Sequence, residues 1–127
     1  MTTLQARPAV LVIDDSDIDR EVMVEVLTAA GLDVHSLPSP IGATRRAREL
    51  NARAVVIDQN LPAIDGNKLA ALFRGTPQLK AVKLVLVSGN DDVAMSDIAR
   101  KANADAFVSK KNLHAELART VKRLVNG

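Results

Sequence analysis

The chain has 127 residues but no cysteine, tryptophan or tyrosine, and only two phenylalanines and two histidines. The lack of cysteine excludes disulfide bonds, thiolate metal sites and thiol redox chemistry. Phe73 and Phe107 are the only aromatic residues, so the stacking platforms that single-stranded nucleic acids need are absent. His35 and His114 are far apart in sequence, so neither a histidine-rich metal site nor a Ser-His-Asp triad is expected.

Long apolar runs and a strong charge of either sign are also missing. Residues 1–8 lack the apolar core of a signal peptide, and no stretch approaches membrane-spanning length. We therefore expect a cytoplasmic protein without membrane contact. The net charge of +2 is too small to indicate nucleic-acid binding, and no helix-turn-helix motif occurs. We expect an N-terminal arm at residues 1–8 and a single domain at residues 9–127.

What the sequence does contain is an alternation of short β-branched runs and helical patterns. The runs predict strands at about 9–14, 33–37, 53–58, 82–87 and 105–109. The patterns between them predict helices at about 17–30, 41–51, 67–74, 92–102 and 112–125. Five strand–helix repeats indicate an α/β fold with a parallel sheet that is covered on both faces.

The first and third helices carry local signals. Asp17 is expected to cap the first helix and Gly31 to end it. The residues of this helix expected to face the core are Ile18, Val22, Val26 and Leu27. Before the third helix, Asp65-Gly66 is expected to serve only as a turn.

Polar side chains stand where four of the predicted strands end: Asp14 and Asp15, Asp58, Ser88, and Lys110. In an open parallel sheet, ligands bind beyond the carboxyl ends of the strands. We therefore expect one edge of the sheet to gather three carboxylates, a hydroxyl and an ammonium group. That set suits a divalent cation together with a phosphoryl group.

The acidic residues predict a Mg²⁺ site in which Mn²⁺ can substitute. Asp14 and Asp15 would bind the metal, one directly and the other through water, and Asp58 would be a third ligand. The main-chain carbonyl of Asn60 is placed to be a fourth, because the chain leaves the strand there.

The same edge predicts phosphoryl chemistry. Asp58 is the candidate nucleophile, because carboxylates can form acyl phosphates. Ser88 can donate a hydrogen bond to a phosphoryl oxygen, and Lys110 supplies a compact positive charge. No general base is needed if the donor is already an activated phosphate.

In their order along the chain, these residues resemble the receiver domain of two-component response regulators, such as the chemotaxis regulators. The resemblance covers roughly residues 8–125 and is carried by Asp14-Asp15, Asp58, Leu61-Pro62, Asp65-Gly66, Ser88-Gly89, Phe107 and Lys110. It implies a flavodoxin-like sheet with strand order 2-1-3-4-5. It also implies that Asp58 accepts phosphate from a sensor histidine kinase or a phosphotransfer protein.

The resemblance further implies an output by protein binding. Phe107 would be the aromatic switch, and a downstream protein would bind the face formed by the fourth helix, the fifth strand and the fifth helix. By the same resemblance the chain is a signalling phosphoacceptor that catalyses only its own phosphorylation and slow dephosphorylation. It would not itself contact nucleic acid.

The chain departs from the family pattern at three positions. Lys111 follows Lys110 where the family often has a proline in a cis peptide, Phe107 stands where tyrosine is frequent, and Ser88 stands where threonine is common. The residues also leave two alternatives open. One is a pseudo-receiver that binds proteins constitutively without phosphate, and the other is an unrelated Mg²⁺-dependent phosphohydrolase.

Overall fold

The computed structural model describes residues 7–89 and 103–126, which form a five-stranded parallel sheet. Its strands are β1 (Ala9–Ile13), β2 (Asp33–Leu37), β3 (Ala54–Asp58), β4 (Lys83–Ser88) and β5 (Ala106–Ser109). They lie in the order β2-β1-β3-β4-β5. The predicted fold class, strand order and strand positions are therefore confirmed.

The helices cover both faces of this sheet. They are α1 (Asp17–Ala29), α2 (Ala43–Leu50), α3 (Gly66–Arg74) and a C-terminal helix (Ala118–Asn126), with a short 3-10 turn at Pro77–Leu79. The helix predicted at 92–102 lies outside the described residues. The apolar side chains of α1 and the C-terminal helix pack on one face, and those of α2 and α3 pack on the other.

The central strands are apolar because both of their faces are buried. In β1, Leu11 and Ile13 join one hydrophobic cluster, whereas Val10 and Val12 join the cluster on the opposite face. Successive side chains of a strand point to opposite faces, so a strand between two helical layers needs apolar residues throughout. The edge strand β2 is only partly buried and is more polar.

Two of the predictions for α1 are wrong. The capping residue is Ser16, whose hydroxyl accepts a hydrogen bond from the Asp19 N–H, and Asp17 is the first residue of the helix. Ile18 does not face the core but is 75% exposed, because the buried side of α1 is defined by Met23 and Leu27. At 100° per residue, Ile18 lies about 140° around the helix from Met23. Gly31 does follow the end of α1, with a positive φ of 90°.

The last helical segment is less regular than the predicted helix at 112–125. It begins with a 3-10 turn at Lys110–Asn112, continues as a π-helical turn at Leu113–Leu117 and only then becomes α-helical. The described residues contain no cis peptide bond, so the Lys110–Lys111 bond is trans. The Ser109 hydroxyl caps the 3-10 turn by accepting a hydrogen bond from the Lys111 N–H.

Gly66 does more than make a turn, so that expectation was wrong. Its N–H donates to the Gln59 carbonyl at 3.0 Å. A Cβ atom at Gly66 would lie 2.7 Å from Gln59 Cα and 2.8 Å from the Asp58 carbonyl oxygen. The first turn of α3 can therefore approach the end of β3 this closely only because residue 66 has no side chain.

We predict that Gly66→Ala lowers the free energy of unfolding by about 1–3 kcal/mol, because the added methyl group must push two backbone segments apart. Gly75→Ala is the matched control. Its Cβ would lie 3.5 Å from the nearest atom, the Ala71 carbonyl oxygen, at an ordinary φ of −82°. Urea denaturation of both variants measures the difference, and equal midpoints would contradict the packing argument.

Candidate functional site

The register of the sheet brings four polar side chains to one edge. Ile13 pairs with Ile57, so the next residues, Asp14 and Asp58, lie on neighbouring strand ends. Asp58 in turn pairs with Val87, just before Ser88. Ser88 pairs with Ser109, which immediately precedes Lys110. The structure thus brings these predicted residues together at the carboxyl edge of the sheet.

Three carboxylates form the acidic part of this site. Asp14 is fully buried, Asp58 is 3% exposed, and Asp15 is exposed. One oxygen from each of the three lies within 4.8 Å of the others. Oxygen ligands bind Mg²⁺ at about 2.0–2.1 Å and Ca²⁺ at about 2.3–2.6 Å, so opposite ligands of one ion are about 4–5 Å apart. The donor set therefore fits a single hard cation that is partly open to solvent.

The Lys110 ammonium lies among these carboxylates. Its Nζ is 2.9 Å from Asp14 Oδ2 and 3.4 Å from Asp58 Oδ2. It also donates a hydrogen bond of 2.8 Å to Oδ2 of Asp19, a residue that the sequence reasoning missed. Among the described residues, Asp14 Oδ2 has this ion pair but accepts no hydrogen bond. The lysine is thus the shared counter-ion of three carboxylates, those of Asp14, Asp58 and Asp19.

Asn60 connects the end of β3 with the end of β4. Its backbone N–H donates to Asp58 Oδ1 at 3.0 Å, and its side-chain amide donates to the Ser88 hydroxyl at 3.3 Å. These contacts fix the orientation of the Asp58 carboxylate and bring the hydroxyl near it. The use of the Asn60 carbonyl as a metal ligand stays a prediction.

A comparison with protein families identifies the family of this chain. The family model described as the response regulator receiver domain matches residues 10–122. The chain belongs to this family.

Two curated relatives of this receiver are about twice its length. It is similar to the transcriptional regulatory protein PrrA of Mycobacterium leprae, with 30% identity over 98% of this chain and 53% of PrrA. It is also similar to GltR of Pseudomonas aeruginosa, with 26% identity over 92% of this chain and 48% of GltR. The receiver therefore spans about half the length of these relatives.

Solved structures show the same fold. The chemotaxis protein CheY4 of Vibrio cholerae superimposes with a TM-score of 0.85 at 21% identity, over 94% of this chain and 99% of CheY4. The receiver domain of a Francisella response regulator, 1452, gives a TM-score of 0.83 at 23% identity, over 94% of this chain and 97% of that domain. Within residues 7–89 and 103–126 of this receiver, no helix has the length and apolar character that a bilayer crossing requires.

Phe107 lies on β5 beside the site. It pairs with Leu86, two residues before Ser88, so its ring and the hydroxyl project from the same face of the sheet. The ring is half-buried against the hydrophobic cluster of that face. A cavity of about 170 Å³ adjoins it and is lined by Phe107, Val108, Ser109, Asn112 and Glu116.

The electrostatics of the site follow from its burial. Burial raises the pKa of Asp14, and the nearby Asp58 charge adds to this effect; the Ser16 N–H and the Lys110 ammonium only partly offset it. Burial alone would lower the pKa of Lys110, but its contacts with Asp19, Asp14 and Asp58 raise that pKa overall. The lysine therefore stays charged, whereas an ionised Asp14 is costly to the fold.

We predict that Asp14→Asn raises the thermal midpoint at neutral pH, without divalent cations, by at least about 2 °C. Because the pKa of Asp14 is raised on folding, its ionisation destabilises the fold as pH rises through that pKa. The difference in thermal midpoint between Asp14→Asn and the parent should therefore vanish in acid, where the parent Asp14 is protonated. Differential scanning calorimetry at both pH values measures the two effects.

In the same calorimetry, Mg²⁺ should raise the midpoint of the parent but not that of Asp14→Asn, since a ligand stabilises only the state that binds it. Asp65→Asn is the control, because this exposed carboxylate lies outside the acidic group. An equal response to Mg²⁺ in the parent and in Asp14→Asn would show that Asp14 is not part of a cation site.

Proposed function

We propose that this receiver accepts a phosphoryl group on Asp58 from a sensor histidine kinase or a phosphotransfer protein, and that phosphorylation switches its binding to a downstream protein. The observation that carries the proposal is the position of the buried Asp58 carboxylate. It lies within reach of two further carboxylates and 3.4 Å from the Lys110 ammonium. Carboxylates this close repel one another, and a bound cation would neutralise them.

The proposed reaction needs no general base. An oxygen of the ionised Asp58 carboxylate attacks the phosphorus of an activated phosphate such as acetyl phosphate. A new O–P bond forms, the P–O bond to the acetyl group breaks, and acetate leaves with the bonding electrons. The Asn60 N–H donates to Oδ1 of Asp58 and would hold this oxygen in place, which leaves Oδ2 to react.

Asp14, Asp15 and Asp58 would hold Mg²⁺ or Mn²⁺, with the Asn60 carbonyl as a further ligand. Bound there, the metal supplies positive charge that neutralises the phosphoryl oxygens. Lys110 would contact a second phosphoryl oxygen, and the Ser88 hydroxyl would donate to a third. The nearness of Ser88 to Asp58 through Asn60 supports this assignment.

The output would follow from the added charge. A phosphoryl group brings about −1.5 to −2 charges, and Ser88 would turn toward it. Phe107, on the same face of the sheet, would then change its packing and shift the population toward a binding-competent surface. That surface would comprise β5, the C-terminal helix and the helix predicted at 92–102.

We propose a cytoplasmic location, and no contact of this domain with nucleic acid or membrane.

Incubation with acetyl phosphate and Mg²⁺, followed by intact mass measurement, tests the proposal. The parent should gain at most one phosphoryl group, and Asp58→Ala should gain none, because no other carboxylate within residues 7–89 and 103–126 has the same setting. Asp65→Ala should label like the parent. A parent that never gains mass would be a pseudo-receiver, whereas turnover well beyond one equivalent of small phosphate esters would indicate a phosphohydrolase. Labelling of Asp58→Ala to the level of the parent would disprove the acceptor assignment.

A further inference from the structure

Asp19 stands apart from the three carboxylates that could share a cation. It lies in the first turn of α1, and its side chain is 36% exposed. Its Oδ2 nevertheless accepts a hydrogen bond of 2.8 Å from Lys110 Nζ, across 91 residues of sequence. This distance is shorter than the 3.4 Å between the same ammonium and Asp58 Oδ2.

The start of α1 explains why the Asp19 carboxylate is available. Asp19 occupies the third helical position after the cap Ser16, where an acidic side chain commonly folds back to the N–H of the capping residue. Here that N–H donates instead to Asp14 Oδ1 at 2.8 Å. The Asp19 carboxylate is thus released from capping and reaches Lys110.

Its neighbour Asp17 has a different partner. Asp17 Oδ1 accepts a hydrogen bond of 2.6 Å from Arg20, and its side chain is 86% exposed. Arg20 also donates to the Asp14 carbonyl at 2.8 Å, so it secures the loop between β1 and α1. Asp17 and Asp19 therefore pair with different basic side chains, although they lie in the same helical turn. Only Asp19 pairs with the lysine of the site.

We propose that Asp19 is a positioning residue that draws the Lys110 ammonium toward α1. The ammonium then competes less with a divalent cation for Asp14 and Asp58, and Asp19 yields the lysine when a phosphoryl group arrives. This inference rests on the proposed function of Asp58. The ammonium contacts three of the described carboxylates. Without Asp19, only Asp14 and Asp58 would remain as its partners. It would then compete directly with a cation for their oxygens.

The contact between Asp19 and Lys110 should have the opposite effect on the binding of an anion: it should weaken it. A phosphoryl group on Asp58 must draw the ammonium from Asp19, and the Asp19 charge repels the phosphoryl oxygens. Loss of the Asp19 charge should therefore weaken Mg²⁺ binding and favour the phosphorylated form. The two effects together distinguish a positioning role from a general loss of stability.

Asp19→Asn tests the proposal, with Asp17→Asn as the matched control, since both remove one negative charge from the same turn. The first readout needs neither metal nor phosphate: the ¹⁵N NMR signal of the Lys110 ammonium should shift in Asp19→Asn and stay unchanged in Asp17→Asn. The second readout is Mg²⁺ affinity by calorimetric titration. The dissociation constant should rise about two- to fivefold in Asp19→Asn, the range expected for a partly exposed charge pair.

The third readout is saturation with beryllofluoride, a phosphoryl analogue, at fixed and saturating Mg²⁺. Half-saturation should need about two- to fivefold less beryllofluoride in Asp19→Asn than in Asp17→Asn. Unchanged Mg²⁺ affinity, or equal changes in both variants, would overturn the positioning role and leave the assignment of Asp58 intact. Failure of the parent to accept a phosphoryl group would instead overturn the proposed function.

Discussion

The contact between the Lys110 ammonium and the surrounding carboxylates is the interaction on which the site depends. Asp14 and Asp58 are almost completely removed from water, and Asp14 gains its backbone hydrogen bond from Ser16 at only one oxygen. Two such charges a few ångströms apart repel strongly where the local dielectric constant is low. The Lys110 ammonium contacts both carboxylates and so offsets part of this repulsion.

The parallel sheet makes this contact possible at little conformational cost. Asp14, Asp58 and Lys110 lie at strand ends whose backbone is fixed by hydrogen bonds to the neighbouring strands, so only their side chains remain to be ordered. Gly66 adds to this rigidity, because it lets α3 pack against the backbone that carries Asp58. The charges are therefore held by the core and not by flexible loops, which is what preorganised binding of a cation requires.

The loop from β1 into α1 has two roles at once. Ser16 caps the helix with its hydroxyl, and its N–H orients Asp14. Because this N–H is used by Asp14, the Asp19 carboxylate is free to contact Lys110. The same few residues thus begin a helix, shape the cation site and set the position of the lysine, so a substitution there would affect stability and function together.

Much of this arrangement was predictable from local sequence. The strand pattern, the polar residues at the strand ends and the order of the receiver motifs are properties of short segments, and they indicated both the sheet and the Asp14, Asp15, Asp58, Ser88 and Lys110 group. The exposure of Ile18 and the π-helical turn at Leu113–Leu117 were not predictable in this way. They depend on how each helix is rotated and seated on the sheet.

The sequence by itself determined the fold class and the chemical types that meet at the carboxyl edge, because the strand pattern and the polar residues at the strand ends are local features. The strand order was implied only by the resemblance to receivers. Only the tertiary structure decided which carboxylates share the lysine. Asp19 is one of two acidic residues in the first turn of α1, and its local sequence does not indicate a contact with the site. Its contact with Lys110 spans 91 residues and exists because α1 packs against the π-helical turn at Leu113–Leu117, which follows Lys110. Such a pairing is set by the distance between elements, which no local pattern specifies.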